Sequence, residues 1–354
     1  MISIRKQLLI FLNIFSFYSY LFWDILYRDK PALSGIQSDF LFVRANRMFD
    51  WVNTLASSGF EFVYSQTENI AIPCYGPITY LLLRPFSLGI NFINNISNNG
   101  LDFFEDSNHL KIALSLILWV ILAFFLIISS SYFLNIAINV LNSKKSRNDG
   151  FLLTLITLMS SYPLLFCFDR GNIELITFFL IIVHMYCVIF NENQRKYLNY
   201  IEIICLSIAI GMKPYLLLFS IFKPIYKCDH NNIKEILKSI IYTISKILFI
   251  SISINIISLI FLYKGNIFSG LNDYLYWQNQ FKIQYINQGY GDIFFSSPFI
   301  LIKQSIPNSL YRSEFIKFYP IFTGIISTIS LYVSFKFTRG NFRNNIILTT
   351  ICFT

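Results

Sequence analysis

The chain of 354 residues is 55% hydrophobic and only 13% charged, with a formal net charge of +9. Its repeated apolar runs are long enough to cross hydrocarbon, and its charge is too sparse to cover a soluble core of this size. This combination excludes a water-soluble globular protein. Lysines and arginines form short clusters between apolar runs, as in cytoplasmic loops of membrane proteins, and no long basic stripe points to nucleic acid.

The cysteines and histidines do not form a metal-binding pattern. There are six cysteines and three histidines. The cysteines lack CxxC spacing, and four lie in or beside apolar runs, where cysteine acts as a small hydrophobic residue. We therefore expect neither a metal nor a resident cofactor.

The N-terminal part predicts one membrane helix followed by a long outer loop. Arg5 and Lys6 precede an apolar run from Leu8 to about Tyr27, which predicts an uncleaved helix starting in the cytoplasm. We assign residues 28–110 to the first outer loop of a single membrane domain spanning residues 1–354.

Two short helices are predicted within this first loop. Apolar positions from Phe40 to Trp51 predict an amphipathic helix on the membrane surface. After the break at Pro73–Pro77, the run Ile78–Leu83 is too short to span because Arg84-Pro85 interrupts it. A short or re-entrant interfacial helix is therefore predicted there.

The remaining apolar runs predict further membrane spans. Basic clusters at 144–147 and 195–196 mark cytoplasmic ends, so the turn 169–174 and the second long loop, 264–316, face outside. The final run is too short for a span, which predicts a chain truncated at its C-terminus. The predicted spans are Ile112–Val140, Phe151–Phe168, Leu175–Phe190, Ile240–Tyr263 and Phe318–Phe335.

The run from Tyr200 to Phe222 predicts a hairpin and not one span. A single span would place the following lysines outside, against the charge pattern of every other loop. Lys213-Pro214 lies in its middle, where a residue before proline is driven from helical geometry and a buried lysine costs about 2.5–3.5 kcal/mol. We predict two short helices, Tyr200–Met212 and Tyr215–Ile225, with Lys213 at the tip.

Four features converge on the predicted outer face. Carboxylates and cations beside a membrane suit a reaction on an anionic lipid head, because cations hold phosphate and a carboxylate deprotonates a hydroxyl. Simpler interpretations stay open: a helix cap, an ion-paired turn, a lysine reaching the headgroups and an aromatic belt. The residues are Asp39 in the first loop, Asp169, Arg170, Asn172 and Glu174 in the turn, Lys213, and Tyr276, Trp277 and Gln280 in the second loop.

The same residues resemble a known enzyme family. Four short motifs, covering about residues 35–225, occur in the order found in GT-C-type membrane glycosyltransferases, most closely glycosyltransferase family 87, the polyprenol-phosphate-mannose-dependent type. The motifs are Asp39-Phe40, Tyr75-Gly76-Pro77 with Tyr80 and Pro85, Asp169-Arg170-Gly171-Asn172, and Ala209–Pro214.

The resemblance implies an all-α, polytopic GT-C-like helical bundle with two long outer loops carrying short amphipathic or re-entrant helices. It also implies transfer of a mannose-like hexosyl unit from a polyprenyl-phosphate sugar to a lipid or glycan acceptor on the outer face of the plasma membrane. Asp39 maps to the family's catalytic base; Ser38-Asp39 holds one carboxylate where many GT-C enzymes hold a pair, so no metal is expected.

The residues themselves complete this hypothesis. A single base with direct displacement of phosphate predicts inversion at the sugar carbon. Arg170 and Lys213 are candidates for the donor phosphate, Asp169, Asn172 and Glu174 for orienting them, and Tyr75 joins the second-loop residues as a possible sugar or acceptor contact. A polysaccharide polymerase or lipid-linked sugar flippase is the first alternative. A transporter is the second, favoured by the broken hairpin but not by the long loops or the lack of a repeat.

Overall fold

A computed structural model describes residues 49–60, 62–65, 75–90, 106–141, 150–160, 164, 167–168, 171–190, 195–227 and 233–281. About 90% of these residues are helical, and they include no strand. The chain divides into two compact units, Met1–Ala32 with Leu41–Gln280 and Leu33–Phe40 with Phe281–Thr354. All described residues except Phe281 belong to the first unit, so the single domain predicted for 1–354 stays a prediction.

Nine α-helices and one 3-10 helix make up the described part of the chain. In chain order they are α1 (Phe49–Gly59), α2 (Pro77–Ile90), α3 (Asp106–Leu141), α4 (Phe151–Ser160), α5 (Glu174–Phe190), α6 (Lys196–Met212), the 3-10 helix (Pro214–Ile221), α7 (Phe222–Lys227), α8 (Ile233–Leu262) and α9 (Ile267–Phe281).

The helices pack side by side in the order α3, α5, α6 and α8. The short helix α2 packs against both α6 and α8, and α1 packs against α2 and α3. The core between them is apolar and includes Trp119, Leu175, Ile181 and Leu206, each at most 2% exposed. This packing brings the N-terminus of α5, the C-terminus of α6 and the N-terminus of α2 to one end of the bundle.

Two helices are long and apolar enough to cross a membrane. They are Leu110–Ala137 within α3 and Leu237–Leu262 within α8, and only 28% and 22% of the residues in their most apolar windows are buried. Large apolar side chains such as Ile121, Phe125 and Phe249 are exposed along them. Such faces are unfavourable in water and favourable in lipid. Membrane crossing by the other predicted spans stays a prediction.

The first-loop predictions are only partly covered by the described residues. The predicted surface helix from Phe40 to Trp51 lies mostly outside them; the described helix α1 begins at Phe49, and every residue from Trp51 to Phe60 is buried. Small polar residues permit this close packing: Thr54 and Ser58 donate their hydroxyls to backbone carbonyls of α1 itself. The predicted interruption at Arg84-Pro85 is wrong, because α2 continues through Pro85 to Ile90. At about 21 Å, α2 is nonetheless too short to span hydrocarbon, as predicted.

The hairpin prediction is confirmed at its break. Helix α6 ends at Met212, and Lys213 adopts an extended backbone with φ −140 and ψ 98. Pro214 then begins the 3-10 helix, whose turn bonds are tighter than those of an α-helix. The chain reverses here, since Lys223 on the returning arm reaches Glu202 and Asn199 on α6. The ascending arm is longer than predicted and starts at Lys196.

Candidate functional site

An ion pair joins the hairpin tip to α5. Lys213 Nζ lies 3.1 Å from Glu174 Oε1, and the two side chains are 15% and 34% exposed. Glu174 occupies the first turn of α5, where the helix dipole favours a negative charge. The pair is therefore partly shielded from water, and an anionic ligand entering here would meet a lysine whose ammonium is held in one position.

The turn before α5 is built by Gly171 and Asn172. Gly171 has φ +67, a left-handed conformation that glycine adopts without steric cost. Asn172 donates its backbone N–H to the Cys167 carbonyl at 2.8 Å, and its Oδ1 accepts the Glu174 N–H at 3.0 Å. Asn172 thus caps α5 and fixes the direction in which Glu174 leaves the backbone.

Tyr75 completes the arrangement from the first loop. Its hydroxyl donates to Asn172 Oδ1 at 3.4 Å, and Lys213 Nζ lies 4.6 Å from the centre of its ring. A cation over an aromatic face is attracted to it. We call Tyr75, Asn172, Glu174 and Lys213 the tip cluster. All four were singled out from the sequence, and they come from three distant segments of the chain.

Sequence reasoning missed Asn255, which joins the backbone segments next to Tyr75 and Lys213 of the tip cluster. On α8, its Nδ2 donates to the Gly211 carbonyl at 3.3 Å and its Oδ1 accepts the Ile78 N–H at 3.2 Å. These are groups that helix ends leave without an intrahelical partner. The signal was present: an asparagine in the middle of a predicted span is costly unless it is paired.

Two glycines allow the chain segments to meet. Gly76 donates its N–H to the Met212 carbonyl at 3.3 Å. A Cβ on Gly76 would overlap the Gly211 carbonyl oxygen, and one on Gly211 would crowd Asn255. The resemblance motifs around Gly76 and Gly211 therefore pack directly against each other.

The second-loop residues are joined to the tip cluster through Tyr64. Trp277, 9% exposed, donates its indole N–H to the Tyr64 carbonyl, and the Tyr64 hydroxyl donates to the Tyr75 carbonyl at 2.8 Å. Tyr274 packs edge-on against the Tyr64 ring, and burial raises the pKa of Tyr274. Trp277 therefore acts in this structure as a buried anchor for α9.

The other predicted site residues are not brought into the cluster. Tyr276 is 55% exposed and touches Trp277 edge-on, and Gln280 is half-buried near the end of α9. Within the described ranges, neither makes a hydrogen bond or ring contact with the tip cluster. Asp39, Asp169 and Arg170 lie outside the described residues.

The tip cluster combines groups that can contact a polar ligand. It offers one ammonium, the carboxylate that pairs with it, one amide and one phenol, with the N-terminus of α5 behind them. In the part of the chain that the structure covers, no group of three or more histidine, cysteine, aspartate or glutamate side chains is placed to hold a metal ion.

Comparison with known proteins found no match. The chain matches no family model, and no curated protein or solved structure is significantly similar to it.

Proposed function

We propose that this chain is a membrane hexosyltransferase that transfers a mannose-like sugar from a polyprenyl-phosphate donor to a lipid or glycan acceptor on the outer face. The observation that carries the proposal is the tip cluster, in which Lys213, Glu174 and Tyr75 meet at the end of a re-entrant hairpin. A fixed cation beside an aromatic ring fits a phosphorylated sugar, since the cation binds phosphate and the ring packs on the sugar.

The reaction assigns one role to each group. Asp39 removes the proton from the acceptor hydroxyl while that oxygen attacks the sugar's anomeric carbon. The bond from that carbon to the phosphate oxygen breaks, and polyprenyl phosphate leaves with the electron pair. Lys213, together with Arg170, stabilises the charge on the departing phosphate. One displacement inverts the anomeric carbon.

The position of the tip cluster along α8 supports a lipid-borne donor. Asn255, which contacts the backbone beside Lys213, lies about 10 Å along the helix axis from Leu262. The candidate span Leu237–Leu262 is about 39 Å long, against a hydrocarbon thickness of about 30 Å. When the span is centred on the hydrocarbon core, it extends past the boundary at both ends, and the level of Asn255 lies about 5 Å below that boundary. The lysine side chain would then reach a phosphate at the headgroups.

Labelled polyprenyl-phosphate sugars incubated with membranes containing the protein test the proposal. We expect transfer by the wild type, none by Asp39→Asn, and a donor KM raised by about tenfold or more in Lys213→Met. Glu235→Gln, an exposed carboxylate on α8, is the control and should keep wild-type rates. Normal transfer by a correctly inserted Asp39→Asn protein would remove Asp39 as the base.

A transporter is the second candidate, and one observation favours it. The ion pair of Lys223 and Glu202, with Glu202 0% exposed, joins helices that pack against α8, and buried ionisable residues among membrane helices often mark a transport path. Uptake of a sugar-phosphate lipid analogue into proteoliposomes, without any glycosyl transfer by the same preparation, would favour this reading over the transferase.

A further inference from the structure

A second group of polar residues lies between the same helices, away from the tip cluster. Lys223 Nζ is 2.9 Å from Glu202 Oε2 and 3.3 Å from Asn199 Oδ1. His184 Nδ1 lies 3.2 Å from the Glu202 carbonyl, so this nitrogen carries the hydrogen. We call His184, Asn199, Glu202 and Lys223 the base cluster.

The carboxylate of the base cluster is more deeply buried than that of the tip cluster, which is 34% exposed. His184 and Glu202 are 0% exposed, and the Lys223 side chain is 24% exposed. A buried ion pair contributes little net stability compared with apolar packing, because each charge loses its hydration. Such pairs are best explained where they fix one geometry among several.

The two clusters join the same segments of the chain at two heights. On α5, His184 lies about 15 Å below Glu174, and on α6, Glu202 lies about 15 Å below Met212. The returning arm covers a similar distance, about 16–19 Å from Pro214 to Lys223, because a 3-10 helix rises about 2.0 Å per residue. Because the three lengths are similar, a contact at the base cluster constrains where the returning arm places Lys213 along α5.

We propose that the base cluster is a clasp whose Glu202 and Lys223 position Lys213 against Glu174. The ion pair of Glu202 and Lys223 joins the two arms of the hairpin. The hydrogen bond from His184 to the Glu202 carbonyl fixes the position of the hairpin along α5, the helix that carries Glu174. The rings of His184 and Phe222, with centroids 6.3 Å apart, bring the returning arm into contact with α5 at the same level. Without the clasp, the 3-10 helix can slide or unwind, and Lys213 leaves its partner.

The inference rests on the proposed role of Lys213 in donor binding, but its test requires no donor. Cys167 is a native reporter, since it is 8% exposed and its Sγ lies 4.0 Å from Glu174 Oε2. In a protein with Cys167 as its single cysteine, maleimide labelling in detergent micelles measures opening of the tip cluster. In a second protein, Cys205 is the single cysteine. It lies one turn from Glu202, so its maleimide labelling measures opening of the base cluster.

We expect Glu202→Gln and Lys223→Met each to raise Cys167 labelling by about tenfold. Lys223→Arg and the charge exchange Glu202→Lys with Lys223→Glu should stay within about twofold of the wild type. Lys234→Met, an exposed lysine on α8, is the control and should leave labelling unchanged. Where the single variants do not fold, Asn199→Ala removes one bond of the clasp and should raise labelling by about threefold.

The clasp is refuted if only Cys205 becomes accessible while Cys167 stays protected, because the base cluster would then have a local structural role alone. It is also refuted if the charge exchange labels as fast as either single variant. In a preparation that transfers sugar, Lys223→Met should raise the donor KM more than it lowers kcat. A wild type without transfer activity would overturn the proposed function and leave the labelling result intact.

Discussion

Asn255→Leu should be among the most damaging conservative changes on α8. The amide of Asn255 satisfies two backbone groups at helix ends, the Ile78 N–H of α2 and the Gly211 carbonyl of α6. Leucine has nearly the same volume and higher hydrophobicity, so α8 itself should form and insert normally. The variant therefore removes the two hydrogen bonds between helices, together with the bond from Asn255 Nδ2 to the Ser251 carbonyl of α8 itself.

The expected loss is about 2–4 kcal/mol in the free energy of unfolding. Hydrogen bonds between membrane helices contribute about 0.6 kcal/mol each on average, because an unfolded but inserted chain finds other partners. Two such bonds give about 1 kcal/mol. The loss here is larger because a buried N–H and carbonyl at helix termini would stay unsatisfied, at about 1–3 kcal/mol each, partly offset by the gain in apolar surface.

Reversible unfolding of the purified protein by SDS in mixed micelles measures this difference. Ser253→Ala is the matched control, since Ser253 is on the same helix, is half-buried as Asn255 is, and bonds only to the Phe249 carbonyl one turn away; it should change stability by less than about 0.5 kcal/mol. Equal unfolding free energies for the leucine variant and the alanine control would show that Asn255 does not join α2 to α6.

Three further changes test how the segments pack. Gly76→Ala should prevent the hairpin tip from docking, with a loss above about 3 kcal/mol, because the new methyl group meets a backbone carbonyl that cannot rotate away. Gly270→Ala meets side-chain atoms alone, the Tyr263 ring 2.9 Å away and a Leu259 methyl group 3.3 Å away, and should cost about 1–2 kcal/mol in the same unfolding assay. Trp277→Phe should cost about 1–3 kcal/mol by removing the buried indole hydrogen bond to the Tyr64 carbonyl and should speed hydrogen exchange in α9, whereas Tyr276→Phe, at an exposed residue, should do neither.

The sequence predicted the helices well where apolar runs were long. The predicted span Ile112–Val140 lies within α3, and Leu175–Phe190 matches α5 to one residue. The break at Lys213 followed from local chemistry alone, because proline restricts the residue before it. The sequence-based prediction failed at Pro85, where tertiary packing overrides local preference and a proline is tolerated inside α2.

The sequence by itself determined the residue types of the candidate site. Asn172, Glu174 and Lys213 were identified as polar groups at the ends of or within apolar runs, since charge there requires a partner, and Tyr75 was identified by the motif Tyr75-Gly76-Pro77. Only the tertiary structure decided that these four meet, that Trp277 is a buried anchor, and that Asn255 joins the helix ends. Hydrophobic periodicity specifies which residues face away from lipid. The distances between the site residues, however, are set by the packing of α5, α6 and α8, and this packing depends on side chains far apart in the chain.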